Sequence, residues 1–480
     1  MSLPKVADLP RPRYRGLALA LADAIRSGRL PAGSKLPPQR DLAYKLGVTT
    51  GTVMRAYALV AQEGLVAGEV GRGTFVQNDA IPFASDDPAA ASLPQSDAMP
   101  GAPTGMPESD ASARPVDLTR NAPAEVGQTQ ALADAMAALS RRPDDLLRLS
   151  GYPPIAGLPE HIEAARAWIA MLGIDVKPEQ VMMTSGAHSG IGLALRALCR
   201  PGESILSEAL TYSAIRGIGH GLRLRIEPVM LDKGGILPDA LNTACHRTNA
   251  RILFLQSTIH NPTTATLSAE RRQAIAEIAR RHDLLVIEDD VYGWLPEHRP
   301  PPLQSLIPER TIFLASASKS LMPGLRIGIV VTPPAMAARF SSAQYELHLG
   351  LPALTAEIFS LWMRDGTAVR LAAAQRAEAR ARQRIARDVL RNHAFAAHPD
   401  GLHLWLPIPE PWRAAEFAQA ARAEGVALMG GGSFSVARST SPNAVRLSLT
   451  GASDRDSLIQ GLNLVVDMME RGPRLGSPVV

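Results

Sequence analysis

The sequence predicts an α/β protein in two parts, a small winged helix-turn-helix module followed by a large domain built on a mainly parallel sheet. Three observations predict it. The first 76 residues carry three helical runs and then two short strand-like pieces. Residues 77–115 lose all periodicity and are rich in Pro, Ala, Ser and Asp, as in a semi-extended linker. Beyond them, residues 116–480 alternate short apolar runs with amphipathic helical ones, the pattern of a sheet covered on both faces.

In the first part, Tyr14–Gly28 sets Leu17, Leu21, Ala24 and Ile25 on one helical stripe, and Gly28 stops it. Gln39–Gly47 is a short second helix. Val48 and Thr49 lead to a third, capped by Thr49 or Thr50 and burying Val53, Ala56, Tyr57 and Val60. "LVAGEVGRGTFV" supplies two strands around Gly71-Arg72-Gly73, a wing. Helix, Gly-containing turn and helix is the helix-turn-helix order, and the third helix enters the major groove by its N-terminal half. Thr50, Gly51, Thr52 and Arg55 lie there, away from the apolar stripe. Small residues permit close approach, hydroxyls reach phosphate or base edges, and Arg55 can pair with guanine or phosphate. Arg40 opens the second helix, placed to grip the backbone. Charge points the same way. Met1–Val76 holds 11 Lys+Arg against 5 Asp+Glu, a net +6, while the rest holds 39 against 41, a net −2. Positive charge concentrated in one segment favours a polyanion partner for it. The competing reading is a solvated basic surface on a small protein-interaction module.

In the second part, Arg251–Gln256, Leu284–Glu288, Thr311–Ser316 and Arg326–Val331 are strand candidates, and Ser268–His282 is a helix. Ligands bind such sheets at the carboxyl ends of the strands, and polar motifs gather there. "SASKSLMPGLRIG" places Lys319 just past a strand, where a lysine can form a Schiff base with an aldehyde. Ser316 and Arg326 flank it and can hold a phosphate dianion. "VIEDDVYG" puts Asp289 at a strand end, able to face a pyridine nitrogen and keep it protonated. Tyr292 and, in "STIHNPTT", Asn261 can both reach a ring oxygen. "TSGAHSGIGLAL" offers Gly186, Ala187 and His188 at a helix start, where backbone N–H groups and the helix dipole suit a phosphate. Tyr212 can stack over the ring. Singly, these motifs have commonplace readings: a solvated lysine, an acidic pair capping a helix, an Asn-Pro turn. Together they describe one cofactor site.

A chain of 480 residues with 46 % hydrophobic and 20 % charged content buries a large core without disulfide or metal staples. Cys199 and Cys245 read as small core residues in a reducing cytoplasm. Met1–Arg15 mixes charge with Pro and lacks the apolar stretch of a signal peptide. No apolar run reaches the roughly 18 residues of a membrane span. A cytoplasmic protein with no membrane partner and no metal site is expected.

The stretch "KLPPQRDLAYKLGVTTGTVMRAYALVAQEGLVAGEVGRGTFV" resembles the GntR family of winged helix-turn-helix regulators. The resemblance implies DNA contacts at Arg40, Thr49, Thr50, Thr52, Arg55 and, in the wing, Arg72. Many members have Arg where this chain has Thr50. From about Asp117 to the last helix, the chain resembles the fold-type I aminotransferases. Asn261, Asp289, Tyr292, Lys319 and Arg326 fall at that family's positions. The resemblance implies pyridoxal 5′-phosphate, with Lys319 as its Schiff-base lysine and Asp289 as partner of the ring nitrogen. It gives Asn261 and Tyr292 to the ring oxygen, and Gly186, Ala187, His188, Ser316 and Arg326 to the phosphate. Tyr212 stacks on the ring, Arg446 in "AVRLSL" binds an effector α-carboxylate, and Tyr152 reaches the phosphate of a neighbouring subunit. His188 departs from the usual Gln, and "GLPEH" lacks the usual "LR" pair. Both resemblances together are those of the MocR subfamily of GntR regulators. They imply a homodimer that binds double-stranded operator DNA and senses a small amine or amino acid. An aminotransferase with an appended DNA-binding module is the alternative. A plain aminotransferase with an N-terminal interaction domain is a third reading, which leaves the basic winged helix without a purpose.

Overall fold

The structure, a computed structural model, describes residues 13–26, 29–30, 34–62, 65–69, 73–76, 115–347, 350–437 and 441–473. It divides into two units, Met1–Ala102 and Pro103–Val480. The expected linker, apart from Pro115, and the wing residue Arg72 lie outside the described residues.

The smaller unit has helices α1 (Arg13–Arg26), α2 (Gln39–Leu46) and α3 (Thr50–Gln62) and strands β1 (Val66–Glu69) and β2 (Gly73–Val76). Leu17, Leu21, Val53, Ala56, Tyr57 and Val60 are buried on the seam between α1 and α3. A fully buried side chain of this size contributes about 1.5–3 kcal/mol, which holds so small a unit together. Gly47 ends α2 in the left-handed region at φ +61°, a conformation glycine adopts without cost. The expected choice between Thr49 and Thr50 as cap falls to Thr49, whose hydroxyl accepts from the Thr52 N–H at 3.3 Å. β1 and β2 pair antiparallel, Val66 opposite Val76 and Glu69 opposite Gly73, forming the wing.

The larger unit is centred on seven strands: β3 (Val181–Ser185), β4 (Ser204–Glu208), β5 (Arg225–Val229), β6 (Ile252–Leu255), β7 (Leu285–Asp289), β8 (Thr311–Ser316) and β9 (Ile327–Val331). Their order across the sheet is β3-β9-β8-β7-β6-β4-β5. β9 runs antiparallel to both its neighbours, and every other neighbouring pair is parallel. That reversal brings the beginning of β9 to the edge where β3 and β8 end. Ile327 lies opposite Ser185, and Gly328 opposite both Thr184 and Ser316. The strand expected from Arg326 begins one residue later, because Arg326 sits in the left-handed region at φ 53°.

A smaller four-stranded sheet follows, built on His403–Pro407 and Ala444–Ser448 and packed against helices Thr367–Val389 and Arg455–Arg471. Cys199 and Cys245, expected in the core, are free and only partly buried. Cys199 closes a helix, and Cys245 lies on a surface helix. Among the described residues, no helix is long and apolar enough to cross a membrane.

The β3–β9 crossing depends on glycine. A Cβ on Gly328 would lie 2.4 Å from the Gly186 carbonyl carbon and 2.6 Å from Thr184 Oγ1. Backbone cannot yield as a side-chain tip can, so Gly328→Ala is expected to destabilise the larger unit by roughly 1–3 kcal/mol. Urea denaturation read by tryptophan fluorescence checks this. An unchanged midpoint would mean the strands do not approach this closely.

Candidate functional site

One edge of the large sheet collects almost every residue singled out for the cofactor. Helix α4 (Gly186–Leu198) starts directly from the end of β3 and presents the N–H groups of Gly186, Ala187 and His188. Gly186 is left-handed at φ +82°, and a Cβ there would lie 2.5 Å from Arg326 Nη2. Glycine therefore lets the guanidinium lie against the start of the helix, where Nη2 donates to the Ser185 carbonyl at 3.0 Å. Two sources of positive potential, a helix start and an arginine, converge there. The Ser316 hydroxyl is close by but turned to the sheet's own backbone, 2.9 Å from the Ile327 carbonyl. It also accepts from Ser318 N–H at 3.1 Å. Ser318, which the sequence reading passed over, lies hydroxyl to hydroxyl with it at 3.0 Å.

Asp289 ends β7 and is buried. Its Oδ2 accepts from Gln256 Nε2 at 2.9 Å, while Oδ1 has no hydrogen-bond partner among the described residues. Burial pushes this carboxyl up to about 7, against the pull of the Gln256 N–H. Tyr292 is buried three residues on, and its hydroxyl oxygen accepts from Asn121 Nδ2 at 3.0 Å. Its own proton therefore stays available to a further acceptor, and burial pushes its pKa up to about 12. The Asn121 amide also meets His403 Nδ1 at 2.9 Å, while His403 Nε2 meets the His260 carbonyl at 3.2 Å. That pattern is a neutral ring protonated on Nε2, and burial holds His403 well below its usual range.

Lys319 Nζ donates to the backbone carbonyl of Asn121 at 2.5 Å. Burial and the nearby Arg446 charge bring the ammonium down to about 8, with Asp289 opposing. Arg446 is buried, and its Nη1 donates to Asn261 Oδ1 at 3.0 Å. Its Nη2 bonds the Thr119 carbonyl and meets Met429 Sδ at 3.0 Å, and the Phe434 ring lies 5.0 Å from its guanidinium carbon. Nε has no partner. Tyr212 is half-buried with its hydroxyl 3.4 Å from His188 Nδ1. Burial, then the Arg326 charge, lowers the His188 pKa, so this imidazole stays neutral beside the guanidinium.

Tyr152 stands apart from this cluster, 89 % exposed. The residues that sequence reasoning missed are Ser318, Gln256, Asn121, Thr119 and His403. Gln256 had a signal, a polar residue closing an apolar strand run. Asn121 and Thr119 had none, because their partners lie about 200 and 327 positions away. Elsewhere, Glu160, His161 and Glu357 gather closely, but Arg148 bonds Glu160 and Arg364 bonds Glu357.

On the smaller unit, Arg40, Thr49, Thr50 and Arg55 are exposed, as a nucleic-acid face requires. Thr52 is half-buried, and its hydroxyl lies 2.9 Å from that of Thr49. Arg55 holds its guanidinium carbon 5.9 Å from the Tyr14 ring centre.

The aminotransferase class I and II family matches residues 113–462, and the bacterial regulatory proteins of the gntR family match residues 13–76. The HTH-type transcriptional regulator YdeF of Bacillus subtilis is 28 % identical over 469 residues, 97 % of this chain and 96 % of that one. The probable rhizopine catabolism regulatory protein MocR of Rhizobium meliloti is 29 % identical over 352 residues, 69 % of this chain and 68 % of that one. An archaeal alanine:glyoxylate aminotransferase of known structure aligns with a TM-score of 0.70 at 23 % identity, covering 75 % of this chain and 92 % of its own, and so shares the fold. The residues fit pyridoxal 5′-phosphate. A depressed lysine, a buried carboxylate with a free oxygen, a protonated phenol and a glycine cradle beside an arginine are the complement that cofactor requires.

Proposed function

This chain belongs to the class I and II aminotransferase family and, with its gntR-type winged helix, to the MocR subfamily of transcription regulators; on that premise we propose that a small amine or amino acid entering at Lys319 changes how the winged helix holds operator DNA. Residues 1–76 read the DNA, 77–115 link, and 116–480 sense. Bound pyridoxal 5′-phosphate supplies an aldehyde that condenses with primary amines and a ring that withdraws electrons. Asp289 holds the ring nitrogen's proton, Tyr292 and Asn261 face the ring oxygen, and Tyr212 covers the ring. The α4 start and Arg326 hold the phosphate, and Ser316 joins them by turning its hydroxyl from the Ile327 carbonyl. Arg446 takes the effector's carboxylate.

The observation that carries this reading is the pair of backbone carbonyls bonded by the two cations. The Asn121 carbonyl sits on Lys319, and the Thr119 carbonyl sits on Arg446. Both belong to the stretch that begins the sensing domain at Val116–Asp117, next in the chain to the proposed linker. Lys319 cannot hold both the Asn121 carbonyl and the cofactor's carbon, and an effector carboxylate competes with the Thr119 carbonyl for Arg446. A ligand that engages either cation therefore acts on residues 117–122. An effector shifts DNA binding by its differential affinity for the two arrangements, roughly 1–3 kcal/mol in typical couplings.

The test is a spectrally monitored screen of amines and amino acids against the holoprotein, with operator DNA selected from a random pool. The amine that changes the visible spectrum is expected to change DNA affinity roughly 5–150-fold. The same amine is expected to change amide hydrogen exchange across residues 117–122. A spectral response with neither consequence sinks the coupling. Turnover of the amine to a carbonyl product is the second reading, favoured by the same assembled residues. Catalytic release of that product, with DNA affinity unmoved, would select it.

We further propose a homodimer in the cytoplasm. Leu147, Tyr152, Tyr345 and Leu354 are large apolar side chains left exposed. The segments of Tyr152 and Tyr345 adjoin, since Gln344 Nε2 donates to the Ile155 carbonyl at 2.8 Å. Such exposed apolar side chains are covered in a two-fold partner. Sedimentation of the holoprotein at micromolar concentration should give a dimer, and Tyr152→Ala should weaken cofactor retention. A stable monomer that keeps its cofactor contradicts both statements.

A further inference from the structure

Gln256 follows β6 directly and is 2 % exposed. Its side chain is shared between two groups that face the proposed cofactor ring. Nε2 donates to Asp289 Oδ2 at 2.9 Å, and Oε1 accepts from the Asn261 backbone N–H at 3.2 Å. Behind it, the Gln256 backbone N–H donates to Glu208 Oε2 at 3.0 Å, and that carboxylate lies 3.3 Å from His260 Nε2. Glu208 and His260 are both fully buried. Gln256 is thus fixed from the rear and reaches forward with both ends of its amide.

We propose that Gln256 is a positioning residue for the cofactor, setting Asp289 and Asn261 in one geometry and keeping Asp289 ionised against the ring nitrogen. An amide does this in place because it donates and accepts at once. A carboxylate could accept from Asn261 but could not donate to Asp289, and a hydrocarbon could do neither. The charges that face Asp289 are Asp290 beside it, which pushes its pKa up, and Lys319 beyond the end of β8, which pulls it down. Glu208 stands behind Gln256. Burial already lifts Asp289 to about 7, and the Gln256 N–H opposes that rise. Without the N–H, Asp289 keeps its proton to higher pH, and less of it carries a negative charge at neutral pH. A ring nitrogen that then loses its own proton withdraws less charge from the nitrogen of Lys319 joined to the cofactor. That nitrogen keeps its proton to higher pH.

The inference rests on the proposed cofactor site, and one experiment separates the two. Wild type, Gln256→Met and Gln256→Glu are titrated with pyridoxal 5′-phosphate for affinity. The pH midpoint of the holoprotein's visible absorbance is then measured. Gln256→Met keeps the volume and loses both bonds. It should weaken affinity about tenfold and raise the midpoint by half a unit or more, a difference of the size a charge-assisted hydrogen bond makes. Gln256→Glu keeps an acceptor for Asn261 and loses the donor, so its midpoint should rise as well. It carries the test alone if Gln256→Met does not fold. Midpoints equal to wild type in the folded variants overturn the inference, even if affinity falls, because a purely structural role predicts that result. A wild type that takes up no pyridoxal 5′-phosphate overturns the cofactor site, and this inference with it.

Discussion

Lys319→Ala is expected to abolish the borohydride-reducible link to pyridoxal 5′-phosphate and every response of DNA binding to amines, while the winged helix, whose DNA-facing residues are untouched, still binds DNA. The reason is the state of Nζ. An amine attacks an aldehyde only when neutral, and burial beside Arg446 brings Lys319 down to about 8. Neutral amine is then about a tenth of the total at pH 7 and about nine tenths at pH 9, against well under a hundredth at pH 7 for an ordinary lysine. Cofactor uptake by the empty protein should therefore accelerate as pH rises through about 8. Arg446→Met removes a neighbouring positive charge, so it should move that midpoint upward and slow uptake at neutral pH. Borohydride reduction followed by peptide mass analysis locates the adduct. An adduct of unchanged yield in Lys319→Ala, or an uptake rate flat between pH 7 and 9, would place the chemistry on another amine.

What could be read from the sequence divides along the range of the interactions. Lys319, Asp289, Tyr292 and Asn261 were legible because each closes or follows a compact apolar run, and one sheet edge must gather such ends. The buried stripe of α1 and α3 was legible for the same local reason, a helical period. The strands β3, β4 and β5 were not. "VMMTS" and "SILSE" are short and end in polar residues, and "RIEPV" contains a proline, tolerated because β5 is an edge strand. The antiparallel insertion of β9 left no local mark either. It is a matter of sheet order, and it alone brings Arg326 to the start of α4. Most hidden were Thr119 and Asn121. They meet the two cations through backbone carbonyls, which every residue possesses, and the cations come from far along the chain.

The second large effect belongs to the winged helix. Arg40→Ala and Arg55→Ala together should reduce operator affinity by roughly two orders of magnitude, at about 1–3 kcal/mol for a base contact plus a phosphate contact. The two losses should differ in kind. Arg40 stands exposed in the first turn of α2, where a guanidinium meets backbone phosphate. Its removal should weaken binding to every sequence alike and reduce the slope of log affinity against log salt by about one counterion. Arg55 is exposed in the second turn of α3, and Tyr14 beneath it limits the directions its guanidinium can take. A guanidinium held in that way can pair with the two acceptors of a guanine edge. Arg55→Ala should then relax preference at one base pair while the others keep theirs, and Tyr14→Ala should reproduce part of that loss without removing any charge. If Arg55→Ala instead weakens all sequences equally, its contact is to phosphate. Fluorescence anisotropy against operator and scrambled duplexes at one fixed salt concentration, repeated across a salt series, distinguishes these outcomes. A double variant that binds as tightly as wild type would remove α3 from the major groove.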